Sequence, residues 1–251
     1  MTTNTGDLIF EIGVEEIPAH AIEPAANYIQ EQCIELFKTS KLSFGEVKNF
    51  YTPRRLVLSV RDLAVSQNDE VTEVFGPPVS VSFDAQKQYT KAALGFAQKN
   101  NVSLDQLYIS KTKKGDYVTA KVQKKGELTK HILSQFFPSI MAKIPFPKRM
   151  TWGSDTVDFI RPLAWILCVF QKEVISFSYG STTSDRYTFG HSILFPKKIE
   201  IQNIEDYHIL LREHKVVVSA NERKNIIRSQ SDTLAKKVNG KFLPQEHLDG
   251  S

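Results

Sequence analysis

The sequence predicts an α+β fold, with mixed or antiparallel sheets, a few packed amphipathic helices and two subdomains. Several short runs alternate apolar and polar residues, as strands do, and short turns join many of these runs. Only a few stretches repeat apolar residues at the spacing of an amphipathic helix. With 251 residues and 41% hydrophobic content, the chain can bury one ordinary core or two small ones.

The first predicted subdomain covers residues 1–146. Its strands are predicted from alternating polarity or β-branched content at 8–12, 50–63, 71–83, 107–111 and 117–122. Its helices are predicted from helical apolar spacing at 22–37, 90–100 and 128–144. The residues KKGD at 113–116 predict a hairpin turn between the last two strands. The residues PFP at 145–147 end the last helix, because proline and its predecessor fit poorly inside a helix.

Proline and glycine positions affect where the first helix begins and where two of the predicted strands are interrupted. Pro24 fits the first turn of the first helix, where its missing N–H costs little. A helix that begins at Pro18 would instead contain Pro24 and should kink there. Pro53 interrupts the predicted strand at 50–63 near its start, and GPP at 76–78 forces a turn or an irregular edge.

The second predicted subdomain covers residues 147–251. Its strands are predicted at 163–170, 174–179 and 198–201. A final helix is predicted from Ser219 to about Val238, because Ser219 and Glu222 have the spacing of a capping box. This helix is strongly basic, and its cationic residues are Arg223, Lys224, Arg228, Lys236 and Lys237.

Charge is unevenly distributed along the chain. Residues 1–100 carry a net charge of −4 and residues 101–251 carry +8, which favours a polyanionic partner for the second part. No segment approaches the roughly 20 apolar residues that a membrane span needs, so no membrane partner is expected. The N-terminus does not resemble a secretory signal, and Cys33 and Cys168 favour buried thiols over a disulfide framework. A cytoplasmic protein is therefore expected.

Motifs for chemistry are missing from the sequence. There is no Walker-type phosphate loop, no G-x-G-x-x-G after a strand and no G-x-S-x-G elbow. His208 and His214 are six residues apart, which does not place two ligands on one helix face. Glu15 and Glu16 are adjacent on a strand and point to opposite faces. We therefore expect no catalytic residue, no metal site and no cofactor in this chain.

Basic residues near rigid backbone are the candidate binding groups. Pro53 fixes the chain before Arg54 and Arg55, so one guanidinium can face outward to grip a phosphate while the other pairs inward. Lys148 and Arg149 precede Trp152, a combination that suits unpaired RNA bases. For both pairs, structural ion pairs or a solvated surface are equally good interpretations. The candidate RNA-binding residues are Arg54, Arg55, Lys148, Arg149, Arg161, Arg223 and Arg228.

An ordered set of motifs resembles the β subunit of bacterial glycyl-tRNA synthetase. The motifs are FEIGVEEIP at 10–18, TPRRL at 52–56, GPP at 76–78, FDA at 83–85, TKAALGFA at 90–97, KIPFPKRMTWG at 143–153, FIRP at 159–162 and GH at 190–191. The set spans nearly the whole chain. Thr151 and Ser192 depart from the family pattern, which usually has arginine at both positions, and each departure removes a cation.

The resemblance implies an α2β2 enzyme that charges tRNA with glycine. It implies that ATP and Mg bind the α subunit, and that this chain binds glycine tRNA and the α subunit without catalysing the reaction alone. Family chains continue into an HD-like domain and an anticodon-binding domain, so this chain is expected to be an N-terminal portion. Two alternatives are a structural module that docks the α subunit without contacting RNA, and an editing-type hydrolytic domain.

Overall fold

The structure is a computed structural model that describes residues 4–84, 86–113 and 115–243. Its strands are β1 (Thr5–Val14), β2 (Val47–Thr52), β3 (Arg55–Ala64), β4 (Glu70–Pro78), β5 (Leu107–Thr112), β6 (Gly115–Lys124), β7 (Met150–Thr151), β8 (Asp158–Phe159), β9 (Leu163–Phe170), β10 (Glu173–Val174), β11 (Ser178–Tyr179), β12 (Thr182–Asp185), β13 (Tyr187–Phe189) and β14 (Lys198–Glu200). Its helices are α1 (Ala19–Thr39), α2 (Val79–Ser82), α3 (Lys91–Lys99), α4 (Thr129–Lys143), α5 (Ile204–Glu213) and α6 (Ala220–Lys237). The α+β prediction is confirmed.

The chain divides into two compact units, residues 1–66 with 128–251 and residues 67–127. This division differs from the predicted boundary between residues 146 and 147. β1 pairs with β3 and also with β9, so hydrogen bonds join both predicted subdomains into one sheet. The pairing of distant strands therefore determines which residues form the larger unit, and the predicted boundary lies inside that unit.

The larger unit is built on a seven-stranded sheet with the order β11-β12-β9-β1-β3-β2, in which β10 also pairs with β9. Most pairs are antiparallel, and β12 runs parallel to β9. Alternate residues of β1 point to opposite faces of the sheet. One face packs against α1 and α4, and the other packs against α5 and β14. Both faces are therefore covered, which explains why β1 is apolar almost throughout.

The smaller unit is a three-stranded antiparallel sheet with the order β4-β6-β5. α3 contributes Ala97 to a small core with Leu107, Val118 and Ala120 from the sheet. The predicted hairpin is confirmed as β5 and β6, which pair from Leu107 with Ala120 onward. Within the predicted turn Lys114 lies outside the described residues, as Ala85 does in the FDA motif.

Several predicted elements differ in their boundaries. The strand predicted at 50–63 is an antiparallel hairpin of β2 and β3, with Pro53 and Arg54 at the turn. α1 begins at Ala19 with Pro18 as its N-cap, so Pro24 lies inside the helix, as the alternative interpretation required. The strand predicted at 174–179 is two short strands, β10 and β11. α5 was not predicted.

Candidate nucleic-acid interface

The TPRR segment places two arginines on opposite sides of the backbone. Arg54 is at the turn between β2 and β3, and its Nη2 lies 2.9 Å from Glu15 Oε2. Hydrogen bonds fasten the turn to the end of β1, because the Val14 N–H donates to the Arg54 carbonyl at 2.9 Å and the Ile17 N–H donates to Pro53 at 2.7 Å. The Arg54 side chain is 30% exposed. The predicted outward arginine is therefore Arg54.

Arg55 is the inward arginine and is only 3% exposed. Its Nη1 donates to Thr188 Oγ1 at 3.3 Å, and its Nη2 donates to the Phe189 carbonyl at 3.0 Å. Nη1 also lies 3.7 Å from Glu11 Oε1. The Arg55 Nε atom has no hydrogen-bond partner among the described residues. Arg55 is therefore held as a buried cation and not as a surface grip for phosphate.

Glu11 is the anion that balances Arg55, and it is fully buried. Its Oε1 accepts from Trp165 Nε1 at 2.5 Å and from Thr188 Oγ1 at 2.7 Å. Its Oε2 accepts from the Tyr207 hydroxyl. Burial first, and Glu11 second, raise the pKa of Tyr207 well above its ordinary value. Every carboxylate oxygen therefore has a donor, as a buried charge requires.

Trp165 is fixed by its neighbours on three sides. Gly13 pairs with both Trp165 on β9 and Arg55 on β3, so the three residues form one row across the sheet. A Cβ atom at Gly13 would lie 2.0 Å from the Trp165 ring, so only glycine leaves space for the indole there. The Arg55 guanidinium carbon is 5.5 Å from the indole centroid, and the Phe189 ring centroid is 4.9 Å away.

These groups border a cavity of about 620 Å³. Its lining includes Glu16, Thr52, Pro53, Arg54, Arg55, Trp165, Phe189, Gly190, His191, Ser192, Ile193, Lys215, Val217 and Arg223. The cavity therefore unites the TPRR and GH motifs, which are more than 130 residues apart in sequence. Aromatic rings form part of its wall, and cationic residues also line it.

The GH motif begins a tight loop at the cavity. A Cβ atom at Gly190 would lie 2.4 Å from the Phe195 carbonyl oxygen, so a side chain does not fit there. His191 Nδ1 accepts from the backbone N–H groups of Ile193 and Leu194, both at 3.2 Å. The loop leaves Ile193 82% exposed.

Arg223 and Arg161 also lie at or beside this cavity. Arg223 Nη1 donates to the carbonyls of Tyr51, Val217 and Val218 at 2.9–3.0 Å, and burial lowers the pKa of Arg223. Arg161 Nε donates at 2.9 Å to the carbonyl of Glu16. Both side chains therefore hold backbone segments together at the cavity.

The remaining candidates are not among the residues that line the cavity. Arg149 donates to the carbonyls of Ile144 and Asp158 and lies 3.1 Å from the Asp158 carboxylate, so its contacts are those of a structural ion pair. Lys148 is exposed, and Arg228 lies on an exposed side of α6. Trp152 donates to the Phe159 carbonyl at 3.1 Å. RNA binding by these residues stays a prediction.

Sequence reasoning missed the polar centre of this site. Glu11, Trp165, Thr188 and Tyr207 were not predicted, and neither was Lys215, which lines the cavity with an exposed side chain. One signal was available, because Glu11 is a lone charge in the apolar strand LIFEIGV at 8–14. A charge on a strand with two covered faces needs a buried partner.

Burial raises the pKa of both the Cys33 and the Cys168 thiols, and both cysteines are free. Among residues 4–84, 86–113 and 115–243, no group of three or more His, Cys, Asp or Glu side chains is placed to hold a metal ion. In the same ranges, no helix combines the length and apolar character of a membrane span.

Comparison with known proteins gives one consistent family. The family model described as "Glycyl-tRNA synthetase beta subunit" matches residues 8–249. Glycine–tRNA ligase beta subunits are 36% identical in Syntrophotalea carbinolica and 37% identical in Thermodesulfovibrio yellowstonii, each over 97% of this chain. The Aquifex aeolicus protein of that name is 38% identical over 94% of this chain. The chain spans 35–36% of the length of these relatives.

Proposed function

Because this chain belongs to the glycyl-tRNA synthetase beta subunit family, we propose that it contributes tRNA binding and association with an α subunit to the ATP-dependent charging of tRNA with glycine. The observation that carries this proposal is the family match across residues 8–249. The partners are then glycine tRNA and the α subunit, in the cytoplasm. ATP and Mg²⁺ bind the α subunit, where the reaction is catalysed.

The charge distribution supports the RNA-binding part of this proposal. Residues 101–251 carry a net charge of +8, and Lys215 and Arg223 from that part meet Arg54 at one cavity. Cations at the surface attract the phosphates of RNA and release counterions when they bind. Arg54 is the predicted phosphate grip whose position agrees best with that role, since its side chain is partly exposed beside the cavity.

RNA binding is tested by fluorescence anisotropy with labelled glycine tRNA at several salt concentrations. We expect the logarithm of the binding constant to fall linearly with the logarithm of the salt concentration. Lys215→Gln should weaken binding and reduce the magnitude of this slope by about one. Lys143→Gln is the matched control, because Lys143 is also an exposed lysine of the larger unit but does not line the cavity. Binding that is independent of salt would contradict this role.

Association with the α subunit is tested separately by size-exclusion chromatography. The chain is mixed with a glycine-specific α subunit, with and without glycine tRNA. Co-elution with both partners is expected. Co-elution with the α subunit but failure to retain tRNA at physiological salt would favour the structural docking alternative.

A further inference from the structure

We propose that the cavity beside Trp165 holds one unpaired nucleotide of the bound RNA, with its base against Trp165 and Phe189 and its phosphate at Arg54 and Lys215. This assignment rests on the RNA binding proposed above and specifies which part of the RNA is recognised. It is carried by the cavity, by its rigid aromatic wall and by the cations that line it.

The aromatic wall is held in place before any ligand binds. Trp165 donates its Nε1–H to the buried carboxylate of Glu11, and its ring covers the space that Gly13 leaves open. Phe189 stands 4.9 Å from Trp165, with 54° between the ring planes. An aromatic surface that is already ordered can stack on a base without losing rotamer freedom when it binds.

A buried cation lies against the same indole. The Arg55 guanidinium is 5.5 Å from the Trp165 centroid, and its Nε has no hydrogen-bond partner among the described residues. Arg55 therefore acts as a positioning residue, because its Nη2 donates to the Phe189 backbone carbonyl and its Nη1 lies beside Glu11, which accepts from Trp165. The cations at the cavity that solvent reaches are Lys215, which is exposed, and Arg54, which is partly exposed and pairs with Glu15 at 2.9 Å. A phosphate bound at Arg54 would share the guanidinium with that carboxylate or displace it.

The size of the cavity and its lining favour a single nucleotide. A volume of about 620 Å³ lies within the range of roughly 300–1,000 Å³ that is typical of small-ligand pockets. Such pockets combine an apolar wall with a few polar groups, as this one does. A paired base is stacked inside a helix and does not offer its face to a protein ring, whereas an unpaired base does. The expected ligand is therefore an unpaired nucleotide and not a duplex.

Trp165 provides a direct reporter of this contact. The sequence contains two tryptophans, and Trp152 does not line the cavity, so Trp152→Phe leaves Trp165 as the remaining indole. The full chain carrying this substitution is titrated with an RNA hairpin that has a single-stranded tail, and with the same hairpin lacking the tail. The tailed RNA should quench Trp165 emission saturably and bind about tenfold more tightly.

A matched pair of phenylalanine variants tests the wall in the same background. Phe189→Leu should weaken binding of the tailed hairpin several-fold and leave binding of the blunt hairpin unchanged. Phe44→Leu is the control, since Phe44 packs against the core on the α1 side of the sheet and does not line the cavity. Circular dichroism checks that each variant is folded.

The outcomes separate this inference from the function on which it rests. Equal binding of tailed and blunt hairpins, with unchanged Trp165 emission, would overturn the nucleotide pocket while leaving phosphate-based RNA binding intact. Failure to bind either hairpin or glycine tRNA would overturn both. The pocket would be supported if the tailed hairpin quenches Trp165 emission, and if Phe189→Leu weakens this quenching while Phe44→Leu does not.

Discussion

Replacing Glu11 with glutamine should destabilise the larger unit by about 3–5 kcal/mol, because it leaves the Arg55 charge buried without an anion. Glu11 is fully buried and Arg55 is 3% exposed, so water cannot solvate the guanidinium in place of the lost charge. Glutamine is nearly isosteric with glutamate, and its oxygen can still accept from Trp165, so the change removes the charge with little change in volume. Its NH2 group then faces the Tyr207 hydroxyl, which must turn from donor to acceptor. A loss of this size is a large fraction of the roughly 5–15 kcal/mol that stabilises a typical domain.

The assay is urea unfolding followed by tryptophan fluorescence. Both Trp152 and Trp165 belong to the larger unit, so the signal reports that unit. The double variant Glu11→Gln with Arg55→Met removes both charges, and it should be less destabilised than the sum of the two single variants. The claim that the buried charges of Glu11 and Arg55 are energetically coupled would be refuted by either of two results. One is that the losses of unfolding free energy in the single variants add up to the loss in the double variant, and the other is a loss below about 1 kcal/mol for Glu11→Gln.

Three further predictions concern the same unit. Gly13→Ala should lower the free energy of unfolding by about 1–3 kcal/mol and shift Trp165 emission, since its Cβ would overlap the indole; unchanged emission would contradict this contact. Cys33 and Cys168 should react with a thiol reagent only after unfolding, because burial raises both thiol pKa values, and rapid labelling of the native chain would show otherwise. Because the pKa of Tyr207 is raised in the folded state, the free energy of unfolding should be full below about pH 10 and should fall as the pH rises further. Tyr207→Phe should therefore make the free energy of unfolding, measured by urea titration, fall less steeply above that pH. An equally steep fall in the variant would argue against this assignment.

Local patterns predicted the elements whose signals are local. The hairpin of β5 and β6 followed from alternating polarity, and α4 followed from apolar spacing and the prolines after it. The N-cap of α6 followed from the Ser219 and Glu222 spacing, and the Ser219 hydroxyl does accept from the Glu222 N–H. Each of these interactions joins residues that are close in sequence.

These local patterns could not predict which distant strands pair with each other. β1 hydrogen-bonds to β9, which places Gly13 opposite Trp165 across 152 positions of sequence, and no local pattern specifies that register. The predicted subdomain boundary differed from the observed units for this reason. The turn at Pro53 was treated as an interruption of one strand, although it reverses the chain and presents Arg54.

RNA binding by the candidate residues stays a prediction. Arg54, Arg55 and Arg223 line one cavity, although the sequence offered them in two separate features, the TPRR motif and the basic final helix. The roles of the two adjacent arginines could not be assigned from sequence, because which of them pairs inward depends on Glu11 and Thr188. Lys148, Arg149 and Arg228 lie elsewhere on the larger unit.

The most direct test of RNA binding at this cavity is photocrosslinking of glycine tRNA that contains 4-thiouridine, followed by mass spectrometry of the crosslinked peptides. Crosslinks are expected in the peptides that carry Arg54, His191 and Lys215, and excess unlabelled tRNA should reduce them. Crosslinks confined to peptides away from the cavity, or none above the level of an unrelated basic protein, would contradict RNA binding at this cavity.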